Sequence, residues 1–232
     1  MPKGEKGMDQ EEMRLLREQA LSFFGAITAS LSHEINNSVA IIAELAGLLQ
    51  DLLLGAEQGQ AIDNDKLKDI SQRITGQAKK CQETIKRLNR FAHSTDKPKT
   101  TFDACEVLDQ LVILAQRFAF LKGVQLENAS TPESITISGS PFSLQQAVFI
   151  CIRLALAASK KDETVTVAFD VEDSIVEIAT TCESLPDTES AKSDISFLSV
   201  LMKELGGDIR TVTDSNGKNS FVLTFPQSSI EP

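Results

Sequence analysis

The chain has 232 residues, 41% of them hydrophobic, enough for a helical unit and one modest α/β domain with a core in each. A net charge of −10 argues against a nucleic-acid partner and against an anionic membrane surface. Cys81, Cys105, Cys151 and Cys182 form no C-x-x-C pair and no Cys/His ligand spacing, so they read as reduced residues of a cytoplasmic protein without a metal site. The longest apolar run, Ile41 to Leu54, is interrupted by Glu44, Gln50 and Asp51 and predicts no membrane span. Met1 to Met13 is charged and lacks the apolar stretch of a secretory signal, so no transmembrane receptor is expected.

From about Gln10 to Leu54 the pattern predicts one long helix. Phe24, Ile27, Leu31, Ile35, Val39, Ile42, Leu45, Leu49 and Leu52 recur at spacings of three and four and make one apolar stripe. His33 falls on the opposite side, and Asn37, four residues on, lies one turn from it on nearly the same face. A core histidine would sit in the stripe. Gly55, Gly59 and Asp63-Asn64-Asp65 supply a turn and a new helix start.

A second helix follows on Leu67, Ile70, Ile74, Ala78, Cys81, Ile85, Leu88 and Ala92. Lys86, Arg87, Arg90 and His93 lie in its last turns, where positive charge suits the helix dipole, and His93 reads as no more than that. Two such helices cannot bury both stripes alone. Pairing two copies into a four-helix bundle predicts a homodimer; folding back onto the second half of the same chain is the other solution.

Thr95 to Thr101, with Pro98, reads as a linker between a helical domain at residues 10–95 and a second domain at 101–228. In the second domain the pattern predicts helices at Ala104–Leu121, Ser143–Ser159 and Asp194–Leu205. Strands are predicted at Val124–Glu127, Ile135–Ser138, Thr164–Asp170, Ser174–Thr180, Asp208–Thr213 and Ser220–Phe225, the last two joined at Asn216-Gly217. The fold class is α+β, with a mixed sheet carrying helices on one face.

Ser32-His33-Glu34-Ile35-Asn36-Asn37 resembles the phosphoacceptor box of the two-component sensor histidine kinases, commonly Ser-His-Glu-Leu-x-Asn-Pro, with Ile35 for the leucine and Ser38 for the proline. The resemblance implies a dimerisation and phosphotransfer domain in which His33 takes the phosphoryl group. Glu34 would orient the ring, or be a solvated helix carboxylate. Asn37 would hold a water that hydrolyses a partner's phospho-aspartate, or be a polar surface residue. Ser38, lacking proline's ring, predicts a straighter helix than the family's. The implied partner is a response-regulator receiver domain, which supplies Mg²⁺ and a lysine.

The second half resembles the ATP-binding domain of the same family, best at Gly139–Gln146, at Val176-Glu177-Ile178 with Leu185-Pro186, and at Gly206–Arg210. The nucleotide residues are missing. Asparagines that hold Mg²⁺ in the family fall on Ile150 and Leu154, which offer no oxygen to a hard cation. The adenine-binding aspartate falls on Thr180 and its glycines on Cys182 and Ser184. The glycine-rich phosphate loop falls on Ser190, Lys192 and Asp194, and almost nothing of the segment that covers ATP remains between Pro186 and Ser190. ATP binding is expected to be lost, leaving no cofactor of the chain's own. Gly206-Gly207 survives as a helix end before a strand, where glycine is needed anyway.

The expectation is therefore a cytoplasmic phosphorelay histidine phosphotransferase, exchanging phosphoryl between His33 and receiver aspartates, with a hybrid histidine kinase as a further partner and with no nucleic acid and no membrane. The alternatives are a non-catalytic pseudokinase interaction module, a receiver phosphatase, or a working sensor kinase with an aberrant pocket.

Overall fold

A computed structural model describes residues 10–61, 63–96, 99–129, 134–172 and 175–226. Pro98, Ser174 and the first nine residues lie outside them. The chain divides into two compact units, one from Ala26 to Ala92 and one joining the residues up to Gly25 with those from His93 onward. The first helix, α1 (Gln10–Glu57), therefore contributes to both.

In the first unit α1 is followed by α2 (Asn64–His93). Asp63 starts α2, its Oδ1 accepting from the N–H groups of Asp65 at 3.0 Å and Lys66 at 3.2 Å, which satisfies donors the helix cannot. Serine at position 38 leaves α1 helical over all 48 residues. Ile27, Leu31 and Leu45 are buried as the stripe predicts, with Ile70 buried from α2. Val39 is not: it is 52% exposed, while neighbouring Ser38 is buried, as is Thr84 of α2. The inward face of α1 thus runs through a small polar residue at mid-length, and Val39, Leu53, Leu54 and Ile85 remain exposed.

The second unit is an α/β layer. β1 (Thr100–Asp103) pairs antiparallel with β3 (Thr136–Gly139), so part of the expected linker is a strand. α3 (Ala104–Lys122) follows directly, capped by Asp103, and ends at Gly123 with φ 67°. The main sheet has the order β2-β4-β5-β7-β6, formed by β2 (Gln125–Asn128), β4 (Thr164–Glu172), β5 (Ile175–Cys182), β6 (Asp208–Thr213) and β7 (Asn219–Pro226). β2 is parallel to β4 and the other pairs are antiparallel, giving the mixed sheet.

α4 (Pro141–Ala158) begins at Ser140, whose hydroxyl accepts from Ser143 N–H, with proline in the first turn. Its side chains from Leu144 to Ile152 are all buried, so it is the core helix of the unit. α5 (Glu189–Glu204) begins five residues earlier than its apolar spacing predicts, because Thr188 caps it by accepting from Ala191 N–H at 3.1 Å. At its far end Gly207 is sterically required: a Cβ there would stand 2.2 Å from Thr224 O.

The N-terminal stretch of α1 is held by aromatic packing. Phe23 is buried, with ring centroids 5.3 Å from Phe142 and 5.1 Å from Phe149, and Phe149 meets Phe118 edge-on at 5.1 Å. By length and composition alone α1 and α4 are each apolar enough to cross a membrane, a test that core helices of folded domains also pass, whereas the charges in the Ile41–Leu54 run predict no span. The apolar stretch of α4 is mostly buried in its own unit, whereas that of α1 is hardly buried within the chain at all.

Candidate functional site

His33 lies on α1 with its ring exposed to solvent. Its Nδ1 stands 3.1 Å from the side-chain nitrogen of Asn37, one helical turn on. This pair follows from spacing: residues four apart on a helix share a face, and the stripe on the other side keeps this face in water. Glu34, half-buried, is not the ring's hydrogen-bond partner. Adjacent residues on a helix diverge by about 100°, so reaching His33 would cost Glu34 a turn around the backbone.

The Asn37 contact bears on the chemistry. With Nδ2 donating to Nδ1, the neutral ring must carry its proton on Nε2 and has no lone pair there. An amide presents oxygen or nitrogen from nearly the same shape. Turned over, Asn37 Oδ1 accepts from Nδ1–H and leaves Nε2 as the nucleophile. Asn37 is thus placed to set the tautomer of His33.

The second locus is the cleft where the resemblance would place a nucleotide, of about 480 Å³, between α4 and the start of α5. Leu154 and Ile150 are buried in α4 and Thr180 is buried in β5. Ser190, Lys192 and Asp194, which would have to form a phosphate-binding loop, are instead in the first turns of α5, where their N–H groups point along the helix. Asp194 is paired with Arg153 at 2.8 Å, and both line the cleft. Nothing in the sequence signals that partner, since the two residues meet only through packing of α4 on α5. These residues do not fit Mg²⁺ and a polyphosphate: the aligned positions offer hydrocarbon where the metal needs oxygen, and a carboxylate where the ligand is anionic.

Cys182, where the adenine box would have a glycine, is buried, donates to Ser184 O at 3.1 Å, and has its thiol pushed up to about 11 by burial. Cys151 is buried and shifted up for the same reason, and Cys81 and Cys105 are half-buried and form no disulfide. Among the described residues no three His, Cys, Asp or Glu side chains cluster as a metal site would require.

No protein-family model matches this chain, and no curated protein does. Solved structures do resemble it. The Acinetobacter baumannii histidine kinase AdeS is 13% identical over 80% of this chain and 96% of its own, with a TM-score of 0.47. The catalytic domain of the histidine kinase ThkA is 14% identical over 56% of this chain and 99% of its own, with a TM-score of 0.49. A structure of ThkA with the response regulator protein TrrA is 17% identical over 98% of this chain and 70% of that one, with a TM-score of 0.48. At these levels what the chain does has to be read from its own residues.

Proposed function

We propose that this chain is a histidine phosphotransferase of a two-component phosphorelay, with His33 as the group that takes and returns phosphoryl and receiver-domain aspartates as its partners. The observation that carries the reading is the exposed His33 ring bonded to Asn37 one turn away, on the face of α1 opposite its apolar stripe. Nε2 attacks the phosphorus of a phospho-aspartate, the N–P bond forms, and the P–O bond to the carboxylate breaks; the reverse step hands the group on. Phosphoryl transfer asks for position and charge neutralisation more than covalent help, so a receiver supplying Mg²⁺ and a lysine leaves the histidine protein with little else to provide.

The degenerate cleft supports a chain that does not charge itself. Leu154 in place of a metal ligand, a helix in place of the phosphate loop and the Arg153–Asp194 pair all disfavour Mg-ATP. The group then comes from a hybrid histidine kinase through its receiver, in the cytoplasm. The exposed Val39, Leu53, Leu54 and Ile85 support pairing of the helical unit with a second copy in a four-helix bundle. A receiver phosphatase is the second reading, favoured by the Asn37 amide beside the ring. Incubation with a labelled phospho-receiver tests both: label appears on the wild type and not on His33→Ala, and transfer that survives His33→Ala overturns the first reading.

A further inference from the structure

The chain's other histidine is better prepared as a nucleophile than the bland reading of a helix-end cation allows. His93 is the last residue of α2, and its side chain is 78% exposed. Its Nδ1 lies 2.7 Å from Asp96 Oδ2, and the backbone N–H of Asp96 donates to His93 O at 3.2 Å. Two bonds therefore close the same four-residue turn and hold ring and carboxylate together just beyond the helix.

The contrast with His33 is one of tautomer. An amide can face a ring nitrogen with either end, but a carboxylate can only accept. Nδ1 of His93 must therefore carry a hydrogen, and in the neutral ring the lone pair is on Nε2, facing solvent. A carboxylate holding Nδ1–H also stabilises the positive charge that the ring acquires when Nε2 forms a bond. The carbonyl end of α2 opposes an incoming dianion, and Arg90, three residues back on the same helix face, supplies a cation of the opposite effect.

From this geometry we propose that His93 is a second phosphoryl-accepting site, modified at Nε2 by small donors with a labile bond to phosphorus, acyl phosphates and phosphoramidates. In the step with phosphoramidate, the Nε2 lone pair forms the N–P bond while the donor's P–N bond breaks and ammonia leaves. Nδ1 keeps its proton against Asp96. The inference shares the phosphoryl chemistry of the proposed function but needs neither a receiver nor His33, so the two stand or fall separately.

The test is phosphoramidate labelling of the full chain followed by ³¹P NMR and peptide mapping at alkaline pH. In His33→Ala, His93 should become phosphorylated at Nε2 about tenfold faster than N-acetylhistidine under the same conditions, and Asp96→Asn should bring it down to that reference rate with some Nδ1 isomer appearing. The His33→Ala/His93→Ala double variant should carry no phosphohistidine. Labelling of His93 no faster than N-acetylhistidine, or unchanged in rate and isomer by Asp96→Asn, overturns the proposal and leaves the pair as a helix-end ion pair.

Discussion

Asn37 and His33 are joined by a 3.1 Å hydrogen bond across one turn of α1, so the amide, not the neighbouring Glu34, is the group in contact with ring Nδ1. Asn37→Asp presents only acceptor oxygens, so it fixes Nδ1–H and leaves Nε2 free; Asn37→Leu removes the partner and lets the ring turn. On the proposed chemistry Asn37→Asp retains phosphoryl acceptance, whereas Asn37→Leu slows it by about tenfold. Single-turnover transfer from a phospho-receiver measures both. Equal rates for the two variants would show that the amide does not orient the ring. Neither variant should change stability beyond about 0.5 kcal/mol, because the site is exposed.

Phe23 fastens the start of α1 to the second unit, where it meets Phe142 and Phe149. Phe23→Ala removes a buried ring and should cost about 3–5 kcal/mol. The loss should be local: amide exchange should quicken over residues 10–25 and on α4 near Phe142, while Ile70 and its neighbours in the helical unit keep their protection. Urea denaturation gives the first quantity and hydrogen exchange the second.

That aromatic contact marks the limit of what the sequence discloses. Periodicity places nearly every helix and strand, because three-four spacing and alternation report one-sided burial directly. His33 is legible for the same reason: it is the residue on the wrong side of an apolar stripe. What escapes is anything that depends on meeting at a distance. Phe23 is not part of the predicted stripe, and only packing shows it turned towards α4. Thr100–Asp103 has too few residues to show alternation and becomes a strand only because β3 is there to pair with it. The start of α5 is missed because capping by Thr188, not apolar spacing, sets it. The His93–Asp96 turn hides among charged residues that any helix end could carry.

Asp103 ends β1 and caps α3, accepting from Cys105 N–H at 2.9 Å. Burial raises its pKa, but hydrogen bonds from Ser134, Cys105 and Ile135 outweigh it and hold the carboxyl below its ordinary 3.8. A depressed folded value means the unfolded chain takes up the proton first. The stabilisation is therefore complete above pH 3.8 and is lost as the pH falls through the folded value. Asp103→Ala should cost about 1 kcal/mol at neutral pH, and Asp103→Asn, still a good cap, only a few tenths. Asp103→Asn should also flatten the acid limb of the stability curve, measured by urea midpoints from pH 6 down to pH 3.

Cys182 gives the opposite limb. Its thiol is held neutral by burial, with a folded value of about 11 against an ordinary 9.0. The unfolded chain loses this proton first, so stability is unaffected below pH 9 and declines between pH 9 and about pH 11. Cys182→Ala should remove part of that decline, and the native thiol should resist alkylation at pH 8 while the urea-unfolded protein reacts. Rapid alkylation of native Cys182, read by mass spectrometry, would contradict the burial argument.

The proposed loss of ATP binding can be challenged by adding the residues that the resemblance calls for. Leu154→Asn and Thr180→Asp introduce a metal ligand and an adenine acceptor at two buried positions. Leu154 is 3% exposed and Thr180 1%, so each polar group is introduced without a partner and should destabilise the unit by about 2–4 kcal/mol. The double variant should still fail to bind Mg-ATP in calorimetry, because the phosphate loop cannot be recovered by side chains. Its place is taken by the first turns of α5, where Thr188 holds the helix start and Asp194 is engaged with Arg153. Adding Asp194→Ala removes the carboxylate and the pair, which is half-exposed at Arg153 and costs little on its own. If the triple variant binds Mg-ATP, the obstacle is charge at Asp194; if it does not, the helix itself closes the site.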